Sequence, residues 1–200
     1  MALFQSLNLT QEPLVRINKW LQEAIEFDIA LPHAMNLSTV DSKGQPSSRM
    51  VLLKTLSDDG ITFYTDYTSL KGEHLENNPQ AALNFWWAKT DKQIRVEGTC
   101  SKISSRDSDA YFKTRPTESQ ISAFVSNQSK VLESYESLLK SFKDLEKSSM
   151  GKNIQRPERW GGFKLKPTRI EFWVNEPNRL HKRELFTLTS DSWEKTLLSP

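Results

Sequence analysis

Apolar residues recur along this chain at two different periods. Leu14, Ile17, Trp20, Leu21, Ala24 and Ile25 fall on one side of a 3.6-residue repeat, with Thr10 as a capping residue and Pro13 in the first turn, which predicts an amphipathic helix packed on a sheet. Residues 34–40, 47–56 and 61–65 are instead rich in β-branched, aromatic and aliphatic side chains. The polar turns Asp41-Ser42-Lys43-Gly44 and Ser57-Asp58-Asp59-Gly60 separate them, so three strands follow one another as two hairpins. Thr68 and Ser69 then offer capping oxygens to a short helix that ends near Asn77-Asn78-Pro79.

Further along, residues 81–87 read as a buried strand and 93–103 as a loosely alternating one, before Ser104 and Ser105 open a helix over 106–113. Arg115-Pro116-Thr117 marks a turn. Val131, Leu132, Tyr135, Leu138, Leu139, Phe142 and Leu145 form one stripe of a surface helix whose other face is lysine and glutamate. The polar stretch 146–158 reads as a mobile connection, and strands resume at 160–163, 169–174, 180–188 and 193–197. Many strands in hairpins and few helices favour a mainly β fold, an antiparallel barrel with flanking helices, over an alternating βα arrangement.

Composition bounds the class without naming it. The 200 residues suit one domain with a sizeable core, read here as 1–200 with an N-terminal helical segment over 1–30. A formal charge of +2 argues against a dedicated nucleic-acid binder. No apolar run approaches a membrane span and the first residues lack a basic, then apolar, leader, so no membrane association is expected and a cytoplasmic protein is. The single Cys100 is expected as a small buried residue. His33 and His74 lack ligand partners nearby, so no metal site is expected and both read as surface or packing residues.

The chemistry concentrates between Pro46 and Lys71. Arg49 and Lys71 can neutralise a dianionic phosphate, and the free N–H groups of a helix beginning after Ser69 would lie beside Lys71. Spacing alone does not separate this from two solvated charges. Arg49 and Lys54 are five apart, so in one strand they face opposite sides. Either the strand bends or bulges before Lys54, or the two serve different parts of a site shared between chains. Arg179, His181 and Arg183 are spaced by two and, in a strand, would form a row of donors on one face. Tyr111 and Arg115, four apart, would be neighbours on one helical face.

Arg49-Met50-Val51-Leu52-Leu53-Lys54, Tyr64-Thr65, Glu76-Asn77-Asn78-Pro79 and Arg179-Leu180-His181 resemble the motifs of the pyridoxamine 5′-phosphate oxidase family, in order and with few gaps from about Val40 to Pro200. The resemblance implies an FMN-binding split barrel and a homodimer with FMN at its interface. It carries FMN contacts onto Arg49, Met50, Val51, Leu52, Leu53, Lys54, Tyr64, Thr65, Lys71, Gln93, Gln128, Ser129, Trp173 and Arg183. Substrate contacts fall on Lys54, Tyr111, Arg115, Ser119, Arg179, Leu180 and His181, with Lys54, Tyr111, Arg115 and Ser119 on the substrate phosphate. Arg179 and His181, beside the pyridine ring, are the implied catalytic pair. The implied reaction removes a hydride from C4′ of pyridoxamine or pyridoxine 5′-phosphate to flavin N5, with oxygen as final acceptor and hydrogen peroxide as by-product.

Three features depart from that pattern. Leu70 stands where the family's helix start has an arginine, Leu31 where an acidic residue is expected, and the N-terminus lacks the arginine-rich segment that closes over substrate. Ser69-Leu70-Lys71-Gly72 also resembles the flavin oxidases of phenazine biosynthesis, which remain an alternative, as does a flavin-binding protein without turnover. Retention of Tyr111, Arg115 and Ser119 favours the vitamin B6 substrate.

Overall fold

The computed structural model describes residues 4–27, 29–149, 153–190 and 192–200. Its strands are β1 (Gln5–Leu7), β2 (Ala34–Val40), β3 (Pro46–Leu52), β4 (Thr55–Ser57), β5 (Gly60–Asp66), β6 (Gln80–Trp87), β7 (Lys92–Lys102), β8 (Trp160–Val174), β9 (Lys182–Thr189) and β10 (Ser192–Leu197). The helices are α1 (Glu12–Glu26), α2 (Leu70–Asn77), α3 (Ser105–Thr114), α4 (Thr117–Val125) and α5 (Tyr135–Ser148). The sheet runs β1-β4-β5-β8-β7-β6-β2-β3, with β9 pairing both β8 and β10. All these pairings are antiparallel except β1 with β4.

β3, at one end of the path, and β4, beside β1 at the other end, are neighbours in sequence. Leu53 N–H donates to His33 O, continuing the β2 edge, whereas Lys54 N–H donates to Thr62 O on β5. The chain therefore leaves one edge of the sheet and joins the other within two residues, and this curls the sheet into a barrel. The strand breaks before Lys54, which is the first of the two readings open to Arg49 and Lys54.

Inside the barrel the alternation of β strands sets the core. Met35, Leu37, Leu83, Phe85, Ile94, Val96, Ile170 and Phe172 are fully or almost fully buried, and α1 closes one opening with Leu14, Ile17, Leu21 and Ala24. Cys100 is part of this core, and burial pushes its thiol up to about 12. The start of α1 is capped differently from expectation. Thr10 offers no capping oxygen; the Asp58 carboxylate, from the β4–β5 turn, accepts from the N–H of Thr10 and of Gln11, at 3.0 and 3.3 Å.

Several expected boundaries move. α4 lies where only a turn was expected, because Pro116 ends α3 yet suits the start of a new helix. α5 begins at Tyr135, with Ser134 as its cap, and leaves Val131 fully exposed. It continues to Ser148, into the stretch read as a mobile connection. Residues 150–152 of that stretch lie outside the described residues, and beyond them Arg156 is tied to Asp109 at 2.6 Å. β8 is one strand of 15 residues, with a register shift opposite Glu97 and Gly98, where two shorter strands were expected.

Candidate active site

β5 presents consecutive side chains to two different clusters. Thr65, pointing one way, meets Lys71 from the first turn of α2. The Lys71 ammonium is almost fully buried and donates to Gln128 Oε1 (2.7 Å), Thr65 Oγ1 (3.2 Å) and Ser69 Oγ (3.2 Å). Burial first, and repulsion from Arg49 second, lower it to about 8, against a smaller pull upward from Asp66. Arg49 Nη1 donates to Thr39 Oγ1 (2.8 Å), Ser47 O (3.0 Å) and Leu37 O (3.2 Å), and Nη2 to Ser47 Oγ (2.9 Å). Among the described residues neither cation forms an ion pair, and their partners are hydroxyls, carbonyls and an amide. Asp66 is engaged by Arg159 and by Thr68. Two half-desolvated cations without a counter-charge fit a dianionic phosphate, which is the end of FMN that this site suits.

Tyr64, pointing the other way, stacks on Tyr111 of α3 with ring centroids 3.8 Å apart, and Trp160 extends the stack at 5.4 Å from Tyr64. The Arg115 guanidinium lies 4.4 Å over the Trp160 ring, and its Nη1 is buried without a hydrogen-bond partner. Lys54 is close enough that burial and the Arg115 charge, in that order, lower its ammonium. Burial raises Tyr64 and, against the opposing Arg115 charge, Tyr111. Ser119 is half-buried in the first turn of α4. Lys54, Tyr111 and Arg115 are thus brought together from a strand break, a helix and a helix end. The orphaned guanidinium nitrogen marks a second place for an anion. His33, fully buried beside Lys54, has an Nδ1 without a partner.

Of the remaining expected contacts, Met50, Gln93, Trp173 and Arg183 lie on the outward face of the sheet. Cross-strand partners share a face, and Trp86, Gln93, Trp173 and Arg183 form one row across β6, β7, β8 and β9. Met50 belongs to a parallel row with Asn36, Asn84, Arg95 and Glu171, and is 62% exposed. Arg49 and Val51 alternate with it and point inward. Leu52 ends β3, and Leu53 follows it in the core. Gln128 and Ser129 sit in the α4–α5 connection, Ser129 at φ +68°.

Arg179, His181 and Arg183 do not form the expected row. Pro177–Arg179 is a 3₁₀ turn in which Asn178 and Arg179 both have positive φ, so β9 starts only at Lys182. Arg179 and Leu180 are exposed, while His181 packs its ring 4.6 Å from Trp173 and accepts from Glu176 N–H at Nδ1 (3.2 Å). Arg183 bonds Glu171 through Nε (2.8 Å) and Ser199 O through Nη1 (2.9 Å).

Trp160, Glu171 and the pair Thr39–His74 were not singled out from sequence as site residues. Thr39 had a usable signal, being a polar residue on the apolar alternation of Met35 and Leu37. His74, read as surface or packing, is buried with its Nδ1 3.1 Å from Thr39 Oγ1.

The curled antiparallel sheet is that of a split barrel. Residues 21–149 match the family model for pyridoxamine 5′-phosphate oxidase, and residues 160–200 that for the pyridoxine 5′-phosphate oxidase C-terminal dimerisation region. A pyridoxine/pyridoxamine 5′-phosphate oxidase of Cyanothece sp. is 45% identical over 199 residues, covering 98% of this chain and 93% of the relative. One of Leptospira biflexa is 47% identical over 189 residues, covering 94% and 89%. Among solved structures, PhzG of Burkholderia lata in complex with tetrahydrophenazine-1-carboxylic acid superposes with a TM-score of 0.90 at 29% identity, covering 94% and 92%. An FMN-binding protein of Nostoc punctiforme related to pyridoxamine 5′-phosphate oxidase shares the fold, with a TM-score of 0.79 at 18% identity over 97% and 100%. The chain belongs to the pyridoxamine 5′-phosphate oxidase family, whose members are FMN-dependent oxidoreductases. Among the described residues no helix is long and apolar enough to cross a membrane.

Proposed function

We propose that this protein oxidises pyridoxamine 5′-phosphate or pyridoxine 5′-phosphate to pyridoxal 5′-phosphate with FMN as cofactor and oxygen as acceptor. The observation that carries the reading is the pair of cationic clusters on the two sides of β5. Such a reaction needs two phosphates held at once, one of the cofactor and one of the substrate. Arg49, Lys71 and Thr65 suit the first; Lys54, Arg115 and Tyr111, with Ser119 nearby, suit the second.

FMN, when bound, would supply the electron chemistry, as acceptor of the hydride from substrate C4′ and donor of two electrons to oxygen, which would give hydrogen peroxide. The chain's residues bind and orient. Arg115 and Lys54 anchor the substrate phosphate and so fix the distance from anchor to reacting carbon. Arg179 and His181 cover and hydrogen-bond the pyridine ring, His181 held by Trp173 and by the Glu176 N–H. Met50, Gln93, Trp173 and Arg183 lie on the outward face and Arg49 on the inward one, so a homodimer that covers the outward face completes the flavin site, in keeping with the match of residues 160–200 to a dimerisation region.

The test is aerobic turnover by FMN-loaded protein, following pyridoxal 5′-phosphate and peroxide. Equal amounts of both from pyridoxine 5′-phosphate support the reading. Turnover of a dihydrophenazine carboxylate with none of either B6 phosphate would overturn it in favour of a PhzG-like role.

A further inference from the structure

The proposed chemistry leaves unused two buried polar side chains behind the cofactor-phosphate cluster. Thr39 is fully buried on the inward face of β2, and His74 is almost so on α2, which packs across that strand. Arg49 Nη1 donates to Thr39 Oγ1 at 2.8 Å, and the same oxygen lies 3.1 Å from His74 Nδ1. A guanidinium only donates, so the threonine oxygen is the acceptor in the first contact. A chain of bonds from Arg49 through Thr39 to His74 takes the tautomer in which the hydroxyl's own hydrogen turns to the imidazole, Nδ1 accepts and Nε2 carries the ring's hydrogen.

We propose that His74 and Thr39 are positioning residues for Arg49, a two-member relay that sets the guanidinium toward the flavin phosphate. A threonine hydroxyl turns freely about its Cβ–O bond. An acceptor at His74 Nδ1 removes that freedom and leaves the lone pairs facing Arg49. The hydroxyl is fully buried, where an unpaired polar group is costly, and the relay satisfies it at both ends. The other Nη1 partners, Leu37 O and Ser47 O, are backbone and move only with the sheet, so Thr39 is the one side chain that orients this nitrogen among the described residues.

This inference rests on the reading of Arg49 as a phosphate ligand, and the experiment separates the two. Dissociation constants of FMN and of riboflavin, which lacks the phosphate, are measured by flavin fluorescence quenching on the full-length apoprotein. Thr39→Val and His74→Leu are expected to weaken FMN by about 5- to 30-fold and to leave riboflavin within twofold. Thr39→Ser, which keeps the hydroxyl, and His74→Asn, whose Oδ1 replaces Nδ1 as acceptor, are expected to retain wild-type FMN affinity. In an Arg49→Lys background, Thr39→Val is expected to have no further effect. Equal loss of FMN and riboflavin, an unchanged FMN affinity, or the same loss in the Arg49→Lys background would overturn the relay. If Arg49→Lys itself weakens both flavins equally, the phosphate reading of Arg49 fails, and the relay with it.

Discussion

Replacing Lys71 by methionine is expected to stabilise the apoprotein while weakening FMN binding. The ammonium is buried, carries no counter-ion among the described residues, and is held at about 8 against an ordinary 10.5. A depression of that size corresponds to about 3 kcal/mol of destabilisation, which solvent at the open end of the site reduces to about 1–2 kcal/mol. For a chain of this length that is roughly 2–8 °C in the apoprotein's melting temperature. In the holoprotein the same ammonium would donate to a phosphate, and losing a charge-assisted bond of about 1.5–3 kcal/mol lowers FMN affinity about 10- to 150-fold. The pH dependence has a definite sign. Because the folded-state value is depressed, the unfolded chain binds more protons between about 8 and 10.5, so the apoprotein's penalty is full below pH 8 and fades as pH rises through that window. FMN affinity runs the other way, falling above pH 8 as the ammonium deprotonates. Differential scanning calorimetry of apo wild type and Lys71→Met, with flavin titrations between pH 7 and 10, reads both. A variant that melts lower than wild type as apoprotein yet binds FMN normally would refute this account of Lys71.

Three further perturbations follow from the geometry. Arg115→Met removes a guanidinium stacked on Trp160 and is expected to raise KM for pyridoxine 5′-phosphate about 10- to 150-fold in steady-state assays, with the FMN dissociation constant unchanged. Leu70→Arg returns the arginine of the family's helix start to an exposed position on the first turn of α2, and fluorescence titration is expected to show about tenfold tighter FMN. Gly162→Ala places a methyl 2.5 Å from Ile103 Cδ1 and 3.0 Å from Tyr64 Cε1, so urea unfolding is expected to show a loss of about 1–3 kcal/mol, with a disturbed Tyr64–Tyr111 stack.

Local signals in the chain were enough for most of the barrel. Residues 34–40 form β2 with the boundaries expected from their composition and the turn that follows, and α2 starts where Ser69 could cap it, with Ser69 Oγ accepting from Gly72 N–H. What was hidden depends on distant partners. β1 is three residues long and exists through pairing with β4, and α1 is capped by Asp58 from a hairpin 47 residues away. The expected Arg179–His181–Arg183 row failed because period-two spacing reads as a strand only if the backbone is extended, and two consecutive positive-φ residues interrupt it. In the site, Arg49, Lys71, Tyr111 and Arg115 were singled out through the family resemblance, because spacing alone does not separate Arg49 and Lys71 from solvated charges. The role of β5 in turning Tyr64 and Thr65 to separate clusters, and the burial of His74 against Thr39, emerge only from the packing of α2 and α3 on the sheet.

The central claim is that this protein holds a flavin and a B6 phosphate together for direct hydride transfer. FMN-loaded protein is mixed with pyridoxine 5′-phosphate in the absence of oxygen, and the visible flavin absorption is followed. The account expects bleaching with stoichiometric pyridoxal 5′-phosphate, reversed when air is admitted. A bound flavin that stays oxidised with both pyridoxine and pyridoxamine 5′-phosphate would contradict it.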